Sequence, residues 1–465
     1  MADIVPLTLD SEALRAELES TGVRSVECAL GDFTAIARGK IVPTADLISA
    51  GGCKMPSVLF GMSTTGGAPM DLFGSVLPKG YGDMHALPDL ATLAPRPGRR
   101  NEATVICEPT GRWFSSRYER EVDASELSPR AALRRVVAAY ESQGLEASVA
   151  PELEMFLLQR EEGGDGIRLC GARARPGAPA REAACEQYSL ERLAHFEPFF
   201  DDLYAAAEAL TIPLAGYQHE AAFTQYEVNF YPGKPLAMAD AVFRFKRLAR
   251  EIAARHGFLA SFAAKPFLDQ PGTGMHWHFS VQRSGEAWPH LFATPQGAST
   301  SALMHYIAGL QSHARGAMAI FAPYDMAFDR IVMNDASPTH ANWGDDDRHA
   351  AFRIPASSGP GRRVENRLPG GDANPYLTVA ATLAMGLAGL NAERLPLAGQ
   401  HEASALPRSL PEALAALEAD GALRKWLGDP LVDLYVAVKR HEHAERQALA
   451  DPRREWDLNH LIELA

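Results

Sequence analysis

Three segments far apart in the chain each place ionisable side chains two residues apart: Glu152-Leu-Glu154, His276-Trp-His278 and Arg363-Val-Glu365-Asn-Arg367. Side chains of an extended chain alternate between faces, so this spacing puts each set on one face of a strand. The residues in between, such as Leu153, Met155, Trp277 and Val364, suit a buried opposite face. Adjacent carboxylates repel one another unless a cation lies between them, so this pattern does more than pack a sheet. A fourth segment, His219 to Phe230, adds Glu220 and Glu227 on either side of an expected bend.

The surrounding pattern predicts a layered arrangement. Residues 1–112 read as short strands and turns, including Arg24–Leu30, Ile36–Ile41 and Ala103–Cys107, with a boundary near Gly111. Ser128 and Pro129 then open a helix as N-cap and first helical residue. Strands are expected at Ala147–Leu158, Glu227–Tyr231, Leu259–Ala264, Met275–Val281, Ala350–Ile354 and Arg363–Leu368, and a loop over Glu161–Ala184. Helices are expected at Leu190–Leu210, Leu236–His256, Ser301–Ala314, Pro375–Leu390, Leu410–Ala419 and Asp429–Ala450. Strands alternating with helices point to an α/β catalytic region.

Charge narrows the partners. The chain has 465 residues with 45 Lys and Arg against 58 Asp and Glu, a formal net charge of −13. That balance argues against a nucleic-acid binder, which relies on basic side chains to neutralise phosphates. The amino terminus lacks the basic and apolar regions of a signal peptide. The apolar run Leu377–Leu390 is too short to span a bilayer and reads as a buried helix. Five cysteines without a C-x-x-C pair fit a reducing compartment, so the expectation is a soluble cytoplasmic protein.

Taken singly, each motif has a plain reading: E-x-E as a solvated strand face, R-x-E-x-R as a surface ion-pair ladder of little energetic weight. Together they supply five carboxylates and one or two imidazoles, a donor set suited to Mg²⁺ or Mn²⁺ rather than to structural zinc. The arginines supply forks that clamp carboxylate or phosphate.

In their order along the chain these segments resemble the glutamine synthetase family, from about Ser25 onward. The likeness rests on Gly31-Asp-Phe-Thr-Ala-Ile-Ala-Arg-Gly-Lys40, the E-L-E strand, His219-Glu220 followed by Glu227, and Lys265-Pro with Gly272-Thr-Gly-Met-His-Trp-His278. It continues through Arg348, Arg353-Ile-Pro355, Arg363-Val-Glu-Asn-Arg-Leu-Pro369 and Ala373-Asn-Pro-Tyr376. The resemblance implies an α+β fold: a small amino-terminal β-grasp domain (1–112), then a larger α/β catalytic domain (113–465). It also implies a homo-oligomer, with a dodecamer of two stacked hexameric rings as one form, and active sites between neighbouring subunits.

Carried across by position, Glu154, Glu220 and Glu227 would hold one divalent ion, and Glu152, His276 and Glu365 a second. His278, Arg348, Arg353 and Arg363 would face ATP phosphates. Arg330 and Arg367 would grip the α-carboxylate of glutamate, and Gly272 would line its pocket. Asp32 of a neighbouring subunit would help bind the incoming amine.

Two departures bear on that amine. Where glutamine synthetases carry a flap glutamate six residues after the arginine, this chain has Ala336. The segment Asn342-Trp-Gly-Asp-Asp-Asp-Arg348 is similar to the W-G-x-D-N-R form of γ-glutamylpolyamine and γ-glutamylamine synthetases, with Asp347 in place of Asn. The resemblance therefore implies ATP-dependent joining of glutamate to an organic amine. The alternatives are an ammonia-using glutamine synthetase and a ring-forming nucleotide or amine sensor without turnover.

Overall fold

The computed structural model describes residues 11–163, 166–173, 186–332, 337–397 and 403–464; Cys185 and Ala336 fall outside these ranges. Two large sheets organise the chain. The first contains β1 (Ser25–Gly31), β2 (Ala37–Pro43), β3 (Cys53–Pro56), β4 (Asp83–Pro88), β5 (Ala94–Pro95) and β6 (Glu102–Thr110). Its order is β2-β1-β6-β4-β3, with β5 on β6, and only β1 and β6 run parallel. β1 is buried from Val26 to Gly31 because helices of the catalytic region cover its second face.

A short hairpin, β7 (Arg112–Ser115) with β8 (Arg120–Asp123), separates this sheet from the second. The second sheet begins with β9 (Leu145–Gly163) and β10 (Gly166–Gly171), then β11 (Leu214–His219), β12 (Gln225–Phe230) and β13 (Leu259–Ser261). It is completed by β14 (Met275–Arg283), β15 (Trp343–Asp345), β16 (Phe352–Ile354) and β17 (Val364–Asn366). The order is β11-β12-β9-β14-β17-β16-β15, with β10 and β13 also on β9. All these pairings are antiparallel except β15 with β16.

The helix opened by Ser128 runs Pro129–Glu141, its N-cap accepting from the amide of Ala131 as the sequence predicts. The run Leu377–Leu390 lies in the helix Pro375–Ala392, the one described helix long and apolar enough to cross a membrane, and it is packed inside the protein. It crosses the helix Ser301–Phe321 at Gly309 and Gly389. A side-chain carbon on Gly309 would lie 2.2 Å from the Met385 carbonyl, so only glycine permits that approach.

The differences from expectation are local. Within the predicted loop Glu161–Ala184, the described residues instead continue β9 to Gly163 and form β10 over Gly166–Gly171, while 174–184 lie outside the described residues. Strand pairing along a long neighbour outweighs the glycine-rich composition there. The predicted helix Leu190–Leu210 is two helices, Leu190–His195 and Glu197–Ala209, broken where Pro198 lacks an amide hydrogen. β11 and the helix Asp325–Val332 were not expected, and the helix from Ser301 extends to Phe321.

Buried charges join the first sheet to the helices packed on it. Arg130 pairs with Asp89 at 2.8 Å, with Glu108, and with Asp240 at 2.7 Å; Tyr376 adds a hydrogen bond to Asp240. Asn374, which caps the Pro375–Ala392 helix, also donates to the Asp32 carbonyl at 2.9 Å.

Candidate active site

β9 is the spine of the site. Its antiparallel register sets Glu152 opposite His276 of β14 and Asn229 of β12, and Glu154 opposite Glu227. His278 stands opposite Glu365 of β17, which in turn stands opposite Arg353 of β16. Directly opposed residues point to the same face, so five strands deliver acids, imidazoles and a guanidinium to one surface. On the other face Leu153, Met155, Met275, Trp277, Phe279 and Val364 are fully buried in the core. That apolar layer fixes the register, because a slip by one residue would exchange the two faces.

A cleft of about 1040 Å³ opens over the polar face. All the expected site residues line it except Asp32 and Glu365. Glu365 is fully buried just beneath, bonded to Arg353 at 2.7 Å and to Arg367 at 2.5 Å, both of which line the cleft. His278 Nε2 meets Glu152 Oε1 at 2.8 Å, and Arg363 Nε donates to His278 Nδ1 at 3.1 Å. His276 Nδ1 lies 3.7 Å from Glu365 and 3.9 Å from Glu152.

Two groups of ligand atoms converge within 4.8 Å: Glu152 with Glu227 and His276, and Glu152 with His278 and Glu365. This differs from the grouping that the resemblance implies. Glu152 belongs to both sets, and His278 stands among the acids as well as beside Arg363. Glu154 and Glu220 lie at the edge of the first set. Glu154 accepts from the Gly274 amide at 2.9 Å and from Gln225 at 3.0 Å, while Gln218 donates to both Glu220 and Glu227.

The electrostatics show what this cluster lacks. Burial, then the charge of Glu220, pushes Glu154 up to about 7. Burial, then the charges of Glu152, Glu154 and Glu220, pushes Glu227 up to about 9. Burial and the Arg367 charge lower His276 to about 4. Burial opposes ionisation of Glu152, yet His276 and His278 outweigh it and hold this carboxyl below the usual range. Glu365 is likewise lowered, against its burial, by His276 and Arg367. A pocket that raises two of its acids toward and above neutral pH matches a site made for divalent cations, with oxygen donors and neutral imidazole suited to Mg²⁺ or Mn²⁺.

A pH dependence follows. Glu154 and Glu227 hold protons in the metal-free folded chain at pH values where the unfolded chain has lost them. Their contribution to stability is therefore greatest below the ordinary carboxylate range near 4.5 and is lost as pH rises through about 7 and about 9. Adding Mg²⁺ at pH 7 should release protons, and its apparent affinity should rise up to about pH 9. Calorimetric titration in buffers of different ionisation enthalpy reads this directly; a heat independent of the buffer would contradict it.

Beside His276 and Glu154, Arg330 is buried, donating to the carbonyls of Leu368 at 3.0 Å and Arg367 at 3.3 Å. Gly272 packs against it: a side-chain carbon there would lie 2.3 Å from the Ala264 carbonyl and 2.9 Å from Arg330 Cγ. Arg367 Nε donates to the Arg348 carbonyl at 3.0 Å, linking two of the arginines that line the cleft.

Asp32 lies elsewhere. Its carboxylate is buried in the β1–β2 turn and accepts from the amides of Thr34 and Ile36, the Thr34 hydroxyl and Arg38 Nε, at 2.6–2.9 Å. Four donors from its own chain occupy its oxygens. Within its own chain it holds this turn, while the amine-binding role expected of it is toward the cleft of a neighbouring subunit. Ala336 lies outside the described residues.

Sequence reasoning missed the amides that hold the acids. Gln225 and Asn229 alternate with Glu227 along β12, so period two would have found them; Asn229 donates to Glu227 at 2.8 Å. Asp346, bonded to Arg353 at 2.5 Å, sits in the turn after β15 and carried no such signal. At the mouth, Gln187 donates to Glu220 at 3.2 Å, and Tyr188, with a left-handed φ of 62°, is held by its amide on the His219 carbonyl.

Comparison with known proteins agrees with this geometry. The family model described as "Glutamine synthetase, catalytic domain" matches residues 126–459. Gamma-glutamylputrescine synthetase PuuA of Escherichia coli K12 is 31% identical over 445 residues, covering 93% of this chain and 91% of that protein. A glutamine synthetase of Methanocaldococcus jannaschii is 32% identical over 391 residues, covering 79% of this chain and 81% of its own length. Among solved structures, GmaS in complex with ADP aligns with a TM-score of 0.77 at 25% identity, covering 96% of this chain and 99% of that one. GmaS without ligand aligns with a TM-score of 0.78 at 26% identity, covering 95% and 99%. With its catalytic-domain match and near full-length relatives, the chain belongs to the glutamine synthetase family of ligases.

Proposed function

We propose that this protein is an ATP-dependent ligase joining the γ-carboxylate of glutamate to an organic amine, a polyamine or monoamine, through a γ-glutamyl phosphate. The observation that carries the reading is one cleft lined both by acids (Glu152, Glu154, Glu220, Glu227) and by arginines (Arg330, Arg348, Arg353, Arg363, Arg367). The likeness to PuuA, whose name specifies putrescine, supports an organic acceptor.

A carboxylate is a poor electrophile, so it must be activated before an amine can displace anything from it. Two divalent ions, held by Glu152, Glu154, Glu220, Glu227, His276, Glu365 and the nearby His278, would supply charge neutralisation for the triphosphate. Arg348, Arg353 and Arg363 offer further forks to the transferring phosphoryl group, and Arg330 and Arg367 orient the α-carboxylate of glutamate. Arg353 and Arg367 are already fixed by Glu365, so their positions cost no reorganisation during the reaction. An alkylammonium, with a pKa near ~10.4 by analogy with lysine, must lose a proton before it attacks. The acids at the mouth would attract that cation, and Glu220 would take its proton. Gln187 and Tyr188 border the same mouth and would set the width of the acceptor pocket.

On the same reading the chain divides into domains 1–112 and 113–465, works in the cytoplasm and assembles as a homo-oligomer. The test is phosphate release with ATP, glutamate and Mg²⁺ across ammonia, monoamines, diamines and polyamines. An organic amine should exceed ammonia in kcat/KM by about tenfold or more, which corresponds to ~1.4 kcal/mol of extra transition-state binding. Ammonia as the best acceptor would make the protein an ordinary glutamine synthetase. Absence of turnover with every acceptor would favour the sensor reading.

A further inference from the structure

The carboxyl-terminal segment packs near the elements that carry Arg330 and Glu154 without lining the cleft. Residues Arg453–Leu461 form a π-helix, a wide-turned geometry uncommon outside functional regions. Asp457, fully buried, anchors it through a two-pronged pair with Arg446, both contacts at 2.8 Å. Trp456, Leu461 and Ile462 share a small apolar cluster with Phe156, Ala263 and Met326, separate from the main core. Phe156 lies two residues beyond Glu154 on β9, and Met326 lies on the helix that carries Arg330.

Arg453 projects from this segment to two places at once. Its Nη1 pairs with Asp329 Oδ2 at 3.0 Å, next in sequence to Arg330. Its Nη2 donates to the carbonyls of Lys265 at 2.6 Å and Pro266 at 3.2 Å. Lys265 and Pro266 open the loop that ends at Gly272. Lys265 Nζ ties that loop to itself by donating to the Gln270 carbonyl at 2.5 Å. The far end is fixed from β12, where Gln225 donates to both the Gly272 carbonyl at 2.9 Å and Glu154 at 3.0 Å. One guanidinium thus holds together the two elements whose contact, Gly272 against Arg330, shapes one wall of the cleft.

We propose that Arg453 is a positioning residue for the acid-substrate pocket, clamping the 265–272 loop to the helix Asp325–Val332 and so setting the place of Gly272 and Arg330. This rests on the reading that the acid bound there is glutamate. The planar fork matters, because a lysine amine on a flexible stem cannot hold that carboxylate and two carbonyls in the same fixed geometry.

The experiment has two arms on the purified full chain. In steady-state kinetics Arg453→Ala should raise the KM for glutamate about tenfold, with kcat within about twofold and the KM for ATP unchanged, the pattern of a displaced binding wall. Arg453→Lys should fall between wild type and alanine. Arg440→Ala, which removes an exposed pair with Glu418, should behave as wild type. In hydrogen exchange, independent of any substrate, Arg453→Ala should speed exchange over residues 265–272 about tenfold and leave β9 unchanged. Asp329→Asn gives a second variant that keeps the loop carbonyl contacts and should produce a smaller shift of the same kind.

Unchanged exchange over 265–272 overturns the clamp whichever acid the enzyme uses. Faster exchange with an unaltered glutamate KM overturns the link to the pocket. Equal losses in kcat and in both KM values, without rescue by lysine, would make Arg453 a general structural residue. Wild-type protein inactive with glutamate would instead overturn the functional reading, and the exchange arm would then decide the clamp alone.

Discussion

Replacing Glu152 by alanine should lower phosphate release by about 10³-fold or more, equivalent to ~4 kcal/mol of transition-state stabilisation. No other acid belongs to both converging ligand sets, so its removal weakens two candidate ion positions at once. It also strips His278 of its 2.8 Å partner, leaving the imidazole held only by Arg363. Stability should respond differently. The Glu152 charge is one of those that raise Glu227, so removing it relieves repulsion in the metal-free chain. The expected Glu152→Ala protein is therefore folded, with a melting temperature near wild type without Mg²⁺ and a smaller gain when Mg²⁺ is added. Glu152→Gln keeps the shape and loses the charge, and it should be nearly as inactive. Retention of more than a tenth of wild-type turnover by either variant would remove Glu152 from the ligand set.

Glu365→Ala should be both inactive and unstable, and the contrast with Glu152 is informative. Glu365 is completely buried between Arg353 and Arg367. Deleting one member of a buried charge group leaves the others uncompensated, which typically costs about 3–5 kcal/mol. Its loss would also free the two arginines to swing into the cleft, so turnover should fall by about 10²–10³-fold even in the fraction that remains folded. Glu365→Gln preserves one acceptor oxygen and should recover much of the melting temperature while restoring little turnover. Thermal melts beside phosphate release at limiting Mg²⁺ separate these effects. Unchanged turnover at limiting Mg²⁺ would show that Glu365 is not a metal ligand.

The two kinds of loss reflect how the site was legible in the sequence. Glu152, Glu154, His276, His278 and Glu365 were readable because a strand repeats every two residues, and three separate segments showed that repeat. The helix Pro375–Ala392 was readable from a cap, a first-turn proline and an apolar run. What could not be read was partnership across the sheet. Nothing local says that Glu152 would face His276 and lie close to both ligand sets, because register is decided by which apolar faces meet. Asp32 shows the same limit, because its motif gives no sign that within its own chain it accepts from the neighbouring amides of a tight turn. β10 was concealed by glycine-rich composition, and Arg453 by distance, since its partners lie more than a hundred residues away.

The length of β9 has a consequence for how this enzyme can vary. Its nineteen residues form one strand, paired with β14 over Leu145–Leu153, with β12 over Glu152–Phe156, and with β13 and β10 beyond. Loss or gain of a single residue ahead of Pro151 would turn Glu152 and Glu154 toward the core and bring Leu153 and Met155 into the cleft. The strand can accept a change of side chain, but not a change of count. Lineages or designers seeking a wider or narrower acceptor must therefore leave the frame of the sheet alone and edit the connections at its rim, where Gln187 and Tyr188 already stand.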